Sequence, residues 1–163
     1  MKDLEVLGIR EIEKSASYEE RLITFRLNEE LIGVNIQDVI KITKDIDITP
    51  VPKTKEYILG VMNLRGNIIP VVTLKKMFNL PEKNKNGKKT IVVVETELGH
   101  IGILVDKVEG AININPDDIQ PAPMNAIGID PEFIDGVIMI SGEKDKELLT
   151  LLNIKKIFRK ENI

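Results

Sequence analysis

Few residues in this chain are equipped for chemistry, and their spacing argues against most of it. His100 is the only histidine and cysteine is absent, so a histidine pair, an HExxH helix, a thiolate nucleophile and a cysteine metal site are all excluded. Carboxylates pair at Asp45 and Asp47 and at Asp117-Asp118. Such pairs suit Ca²⁺ or acid–base work, but in a loop they serve more often as turns or caps. Ser141 precedes Gly142 without the glycine two positions earlier that a nucleophile elbow requires. Gly87-Lys88-Lys89-Thr90 lacks the first glycine of a phosphate loop and reads as a turn entering a strand. What remains is Arg65, set in the polar break between two apolar runs. An arginine there is suited to recognition rather than catalysis.

The elements that position it follow from the pattern. Residues 58–64 and 68–74 are apolar and β-branched and predict a hairpin closing over Arg65-Gly66-Asn67. Gly66 supplies the positive φ of the turn. Pro70 has no amide proton for a ladder, so the second strand is at a sheet edge or bulged at that point. Further strands are expected at 22–27, 31–36, 90–95, 101–105, 108–114, 133–140 and 148–154, with 37–43 as one helical turn or a bent strand. Short helices are expected at 75–78 and 155–160. Residues 1–20 read as a flexible arm, and the lysine-rich stretch 81–89 as a solvated surface linker. His100 is placed in a solvated hairpin tip.

The two sides of that linker repeat one another. Ile32-Gly33-Val34 matches Ile101-Gly102-Ile103, and Ile48-Thr49-Pro50-Val51-Pro52 matches Ile119-Gln120-Pro121-Ala122-Pro123. Tyr57-Ile58-Leu59-Gly60-Val61 matches Phe133-Ile134-Asp135-Gly136-Val137, and Leu74-Lys75-Lys76-Met77-Phe78 matches Ile154-Lys155-Lys156-Ile157-Phe158. Four matches in one order imply two copies of a small β unit. Five short strands per copy would leave long edges in an open sheet, so each copy is expected to curl into a small barrel. The lobes would run about 21–80 and 90–158, with exchange of strands between them left open. At the corner, Asn63-Leu64-Arg65-Gly66 matches Met139-Ile140-Ser141-Gly142: the repeat keeps the glycine and not the arginine, which favours a recognition role for Arg65. Val39 and its match Val108 would line a cleft between side-by-side barrels, and such a cleft suits an amphipathic helix.

Composition narrows the partners. A hydrophobic content of 42% in 163 residues is enough for a real core, and the net charge of −3 gives no field for nucleic acid. Tryptophan is absent and other aromatics are few, so single strands have little to stack on. No apolar run reaches the length of a membrane span and the start does not read as a signal peptide, so a cytoplasmic protein is expected.

The run Gly60-Val61-Met62-Asn63-Leu64-Arg65-Gly66-Asn67-Ile68-Ile69-Pro70-Val71 strongly resembles the CheW family of bacterial chemotaxis coupling proteins. The likeness extends through Gly33-Val34-Asn35-Ile36, Ile101-Gly102-Ile103-Leu104-Val105-Asp106 and Ile119-Gln120-Pro121-Ala122-Pro123, covering about 21–158. It implies a mainly β fold of two five-stranded SH3-like barrels packed side by side, with short helices between strands and at the C-terminus. It implies a non-enzymatic adaptor without cofactor or metal, linking the cytoplasmic hairpin tip of transmembrane chemoreceptors to the histidine kinase CheA through that kinase's regulatory domain. By the same resemblance Val39, Ile42, Arg65, Ile68 and Val108 would form or border the receptor groove, with Asn63 and Gly66 shaping the corner. Lys41 stands where the family pattern often has an acidic or aliphatic residue, which bears on receptor choice. The rival from another class is a small-ligand-binding or metal-dependent double barrel using Asp117, Asp118 and His100.

Overall fold

Four consecutive apolar residues, Ile91, Val92, Val93 and Val94, are all inaccessible to solvent in one strand. Since side chains of a strand alternate between its faces, both faces must be covered. Ile91 and Val93 belong to one apolar cluster and Val92 and Val94 to another. The fold is arranged to supply these two surfaces, and each such side chain is worth about 1.5–3 kcal/mol when fully buried.

The structure is a computed structural model that describes residues 19–44, 47–124, 127–142 and 145–160. Its strands are β1 (Glu20–Leu27), β2 (Glu30–Asn35), β3 (Val39–Thr43), β4 (Ile58–Leu64), β5 (Asn67–Thr73), β6 (Thr90–Thr96), β7 (Gly99–Val105), β8 (Lys107–Ile114), β9 (Ile134–Ser141) and β10 (Lys146–Leu152). A 3-10 turn at Ile36–Asp38 leads into β3, so both alternatives for 37–43 are used in succession. Short helices at Leu74–Met77 and Ile154–Ile157 follow β5 and β10. The arm expected at 1–20 lies, up to residue 18, outside the described residues, as does Asp45; Glu20 opens β1.

The strands form two five-stranded sheets, in the orders β8-β1-β2-β10-β9 and β3-β6-β7-β5-β4. Replacing each strand by its counterpart in the other half converts one order into the other, so the repeat read in the sequence is a repeat of structure. The sheets are not the sequence halves, however. β1 and β2 join β8, β9 and β10, while β6 and β7 join β3, β4 and β5. The exchange of strands between lobes at 21–80 and 90–158, left open by the sequence, is thus a reciprocal exchange of strand pairs. The exchange is closed in each sheet by a parallel contact, β2 with β10 and β5 with β7.

This exchange explains the two-sided burial. One sheet curls around Leu22, Leu31, Ile138, Leu149 and Leu151, and the other around Met62, Ile69, Val71, Ile91 and Val93. Between them lies a third and larger cluster, with Phe25, Ile32 and Val34 from one sheet and Val92, Val94 and Ile103 from the other. The result is the mainly β architecture of two five-stranded SH3-like barrels side by side. Glycine fits where the barrels are tightest. A Cβ on Gly60 would lie 2.2 Å from the Thr49 carbonyl oxygen, and one on its counterpart Gly136 would lie 2.6 Å from that of Gln120. Thr49 and Gln120 make matching isolated bridges to Val61 and Val137 there.

Pro70 sits in β5, an interior strand rather than an edge. Val61, its partner in β4, exchanges both backbone hydrogen bonds with Thr49, so the Val61–Pro70 pair is a non-hydrogen-bonded one and the proline nitrogen faces β7. The ladder to β7 begins only at Val71, so the missing donor falls where no partner is asked for. The stretch 81–89 lies on the surface, most of its residues exposed, but it is tied down. Asp106 at the β7–β8 junction accepts from Lys75 Nζ at 2.9 Å, Asn84 Nδ2 at 3.1 Å, Lys89 Nζ at 3.2 Å and the Asn28 amide at 2.6 Å. Glu82 accepts from both lysines, at 2.8 and 3.1 Å. The stretch is thereby fastened to the β1–β2 turn and the helix after β5. Burial alone would raise the carboxyls of Asp106 and Glu82, but these charged donors outweigh it and hold both below the usual range.

Candidate partner interface

Register fixes the corner that carries the arginine. Leu64 pairs with Asn67, which leaves Arg65-Gly66 as a two-residue loop rather than the three residues expected. Their φ values of 52° and 88° are both positive, as the tight hairpin turn that suits right-handed strand twist demands. Gly66 adopts this freely, whereas arginine in the left-handed region costs about 1 kcal/mol. Asn63 Oδ1 accepts from the Gly66 amide at 2.8 Å and holds the turn closed. Arg65 is exposed and makes no ion pair within the described residues.

Around that corner the second sheet presents a mixed surface. Arg65 lines a depression of about 360 Å³ with Ile40, Lys41, Leu64, Asn67 and His100. Of its aliphatic lining, Ile40 is 47% exposed; Ile68 and Ile42, 62% and 38% exposed, belong to the same sheet but do not line the depression. Ile40 is brought out by a bulge, since Val39 pairs with Val94 but Lys41 with Val93. His100 is in β7 rather than a solvated tip, and its Nε2 meets Glu95 Oε1 at 2.9 Å across the β6–β7 ladder.

Val39 and Val108 occupy equivalent places in the two sheets, paired with Val94 and Phe25, and both pack half-buried against the central cluster. Val108 also lines a separate depression of about 490 Å³ with Lys44, Lys88, Lys89 and Asp106. Arg65, Ile42 and Ile68 thus share the exposed region of one sheet, Val39 stands where that sheet meets the core, and Val108 belongs to the other sheet. Among the described residues, the depression of Arg65 includes none of the other four, and that of Val108 none of them either.

The residues of the catalytic rival are not brought together. Asp117 and Asp118 lie in a 3-10 turn whose start is capped by Asn115 Oδ1, which accepts from the Asp117 amide at 3.0 Å. His100 belongs to the other sheet, and no group of three histidine, aspartate or glutamate side chains among the described residues is arranged to hold a metal ion. Two features escaped the reading of residues: the buried Lys75–Asp106 pair, and the presence of Lys41 and His100 in the depression of Arg65. The bulge at Ile40 has no sequence signature, so nothing in the strand's alternation reveals which residues turn toward Arg65.

The family model of the CheW-like domain matches residues 21–162. The chain is 33% identical over 147 residues to the chemotaxis protein CheW of Treponema pallidum, covering 88% of this chain and 84% of that one. To the CheW of Helicobacter pylori it is 30% identical over 141 residues, covering 86% and 82%. Its fold matches the crystal structure of the scaffolding protein TtCheW from Thermoanaerobacter tengcongensis with a TM-score of 0.76 at 34% identity, over 88% of this chain and 90% of that one. The match takes in both barrels and the corner between β4 and β5, and the chain therefore belongs to the CheW family of chemotaxis scaffold proteins.

Proposed function

We propose that this protein couples the cytoplasmic hairpin tip of transmembrane chemoreceptors to the histidine kinase CheA, acting as a non-catalytic adaptor in the cytoplasm. The observation that carries the reading is the CheW-like match over 21–162, which spans both barrels and leaves no part of the duplicated unit unaccounted for. Among the described residues no helix is long and apolar enough to cross a membrane, so contact with the membrane would come through the receptor.

The mechanism is assembly. Two barrels sharing one large apolar core give a rigid body whose faces keep a fixed relation, and a rigid body is what holding a receptor and a kinase in register requires. The receptor helix would take the region of Val39, Ile42, Arg65, Ile68 and Val108, with aliphatic side chains supplying area and Arg65 supplying orientation. Asn63 and Gly66 would hold that arginine in place. Regulatory-domain contacts of CheA would use the remaining barrel surfaces.

Calorimetric titration of the chain with a CheA fragment containing the regulatory domain, and separately with a receptor hairpin-tip fragment, tests this. Saturable one-to-one binding to both is expected, with Arg65→Glu weakening the receptor signal and shifting stability by only about 0.5 kcal/mol. Absence of heat with both fragments, from a folded sample across a range of salt, would reduce the family relation to a shared fold.

A further inference from the structure

The duplication allows the corner of Arg65 to be compared with its own copy. The equivalent depression of the other sheet, about 500 Å³, includes Arg26, Glu109, Gly110, Ile140, Ser141 and Glu147 among its lining residues. The registers assign the counterparts: Glu109 stands for Ile40 at the same bulge, Gly110 for Lys41, Ile140 for Leu64, Ser141 for Arg65 and Glu147 for Asn67. Arg26 stands for Glu95.

The charges at the two mouths are handled oppositely. In the first, Arg26 is bound to Glu147 and, at 2.8 Å, to Glu109, so the cation is matched within the chain. Hydrogen bonds from Arg26 hold both carboxyls below their usual range. In the second, the positions of those two acids are taken by an isoleucine and an asparagine, and the positions of a glycine and a serine by Lys41 and Arg65. Glu95, which stands where the other mouth has Arg26, is engaged by His100. Neither Lys41 nor Arg65 has an ion-pair partner among the described residues.

Two cations sharing a half-apolar depression repel one another, and a carboxylate entering between them relieves that repulsion while gaining charge-assisted hydrogen bonds. We propose that the depression lined by Lys41 and Arg65 receives a carboxylate side chain from an otherwise apolar segment of the chemoreceptor tip, and that Lys41 is a specificity-determining residue for that partner. This rests on the coupling function proposed above. The exposed Ile40 and the half-buried Leu64 in the same lining define the rest of the complement: an amphipathic helix with an acidic residue flanked by aliphatic ones, seated with its acid toward Arg65.

The test uses the full chain as wild type, Lys41→Gln, Lys41→Glu and Arg65→Glu, each checked for an unchanged melt. Binding is measured to a receptor hairpin-tip fragment and to the same fragment with its tip glutamates changed singly to glutamine, at two salt concentrations, with the CheA fragment as control. Lys41→Glu is expected to weaken receptor binding about tenfold or more and to flatten its salt dependence, Lys41→Gln to weaken it less, and one glutamate-to-glutamine change in the receptor to add nothing further in the Lys41→Glu background. CheA binding stays unchanged. Wild-type binding that Lys41→Glu and Lys41→Gln leave intact would overturn the proposal while sparing the coupling function. A wild type that binds no receptor fragment would overturn both. Self-association abolished by Lys41→Glu would assign the carboxylate to a second copy and overturn the choice of partner.

Discussion

Asp106→Asn preserves shape and removes one charge from the network that fastens 81–89. The carboxylate faces donors only: two ammonium groups, the Asn84 amide and the Asn28 backbone N–H. An amide in its place must turn its own donor toward one of them. Lys75, only 4% exposed, keeps Glu82 at 2.8 Å as its remaining counter-charge. Breaking a buried pair from one side costs about 3–5 kcal/mol, and the surviving Glu82 contact argues for the lower end, about 3 kcal/mol. For a chain of this size that is a fall in Tm of roughly 6–12 °C. The pH dependence supplies a second readout. With the folded-state pKa of Asp106 held below its unfolded value near ~3.9, its stabilisation is complete above that value and is lost as pH falls through the folded value. Urea melts of wild type should therefore weaken below about pH 4, and Asp106→Asn should show a shallower acid loss, the remainder shared by Glu82, Glu109 and Glu147, whose carboxyls are also held low. A cycle with Lys75→Met should show coupling above about 1 kcal/mol. A cost under about 0.5 kcal/mol at pH 7, or an undiminished acid slope, would refute the view that this network holds the segment in place.

Two further outcomes are expected. Gly60→Ala forces a Cβ against the Thr49 backbone and should cost about 2–4 kcal/mol by urea melts, whereas Gly110→Ala, with positive φ but nothing within 4 Å of the new Cβ, should cost about 1 kcal/mol; equal costs would show that close approach is not what selects Gly60. Arg65→Asn should raise stability by up to about 1 kcal/mol, since asparagine accepts the left-handed conformation more readily, while weakening receptor binding; a loss of stability would make the arginine side chain structural.

The duplication was legible because Gly33 and Gly102, Gly60 and Gly136, and the Thr49 and Gln120 segments are each demanded by backbone approach or barrel packing, which leaves marks at fixed spacing. Strand exchange left no such mark: β1 carries the same apolar run, buried on both faces, whichever strand lies beside it, because pairing partners are chosen by the whole sheet. The burial of Lys75 was hidden for a related reason. Nothing local in Leu74-Lys75-Lys76-Met77 distinguishes the two lysines, and only the return of Asp106, 31 residues later in the chain, makes one of them interior. At the corner, the Arg65-Gly66 turn was legible from local chemistry. Its neighbours Lys41 and His100 were not, since they arrive from other strands.

The interleaving of the two halves also governs how the chain can be made. During synthesis β1 and β2 leave the ribosome long before β8 and β10, their partners on either side, exist. Neither sheet can be completed by the first half of the polypeptide, so domain-by-domain folding during translation is closed to it, and the nascent β1–β2 hairpin must wait with its apolar faces unfilled. A nick within 81–89 would correspondingly yield two fragments obliged to find each other, each carrying two strands of one sheet and three of the other.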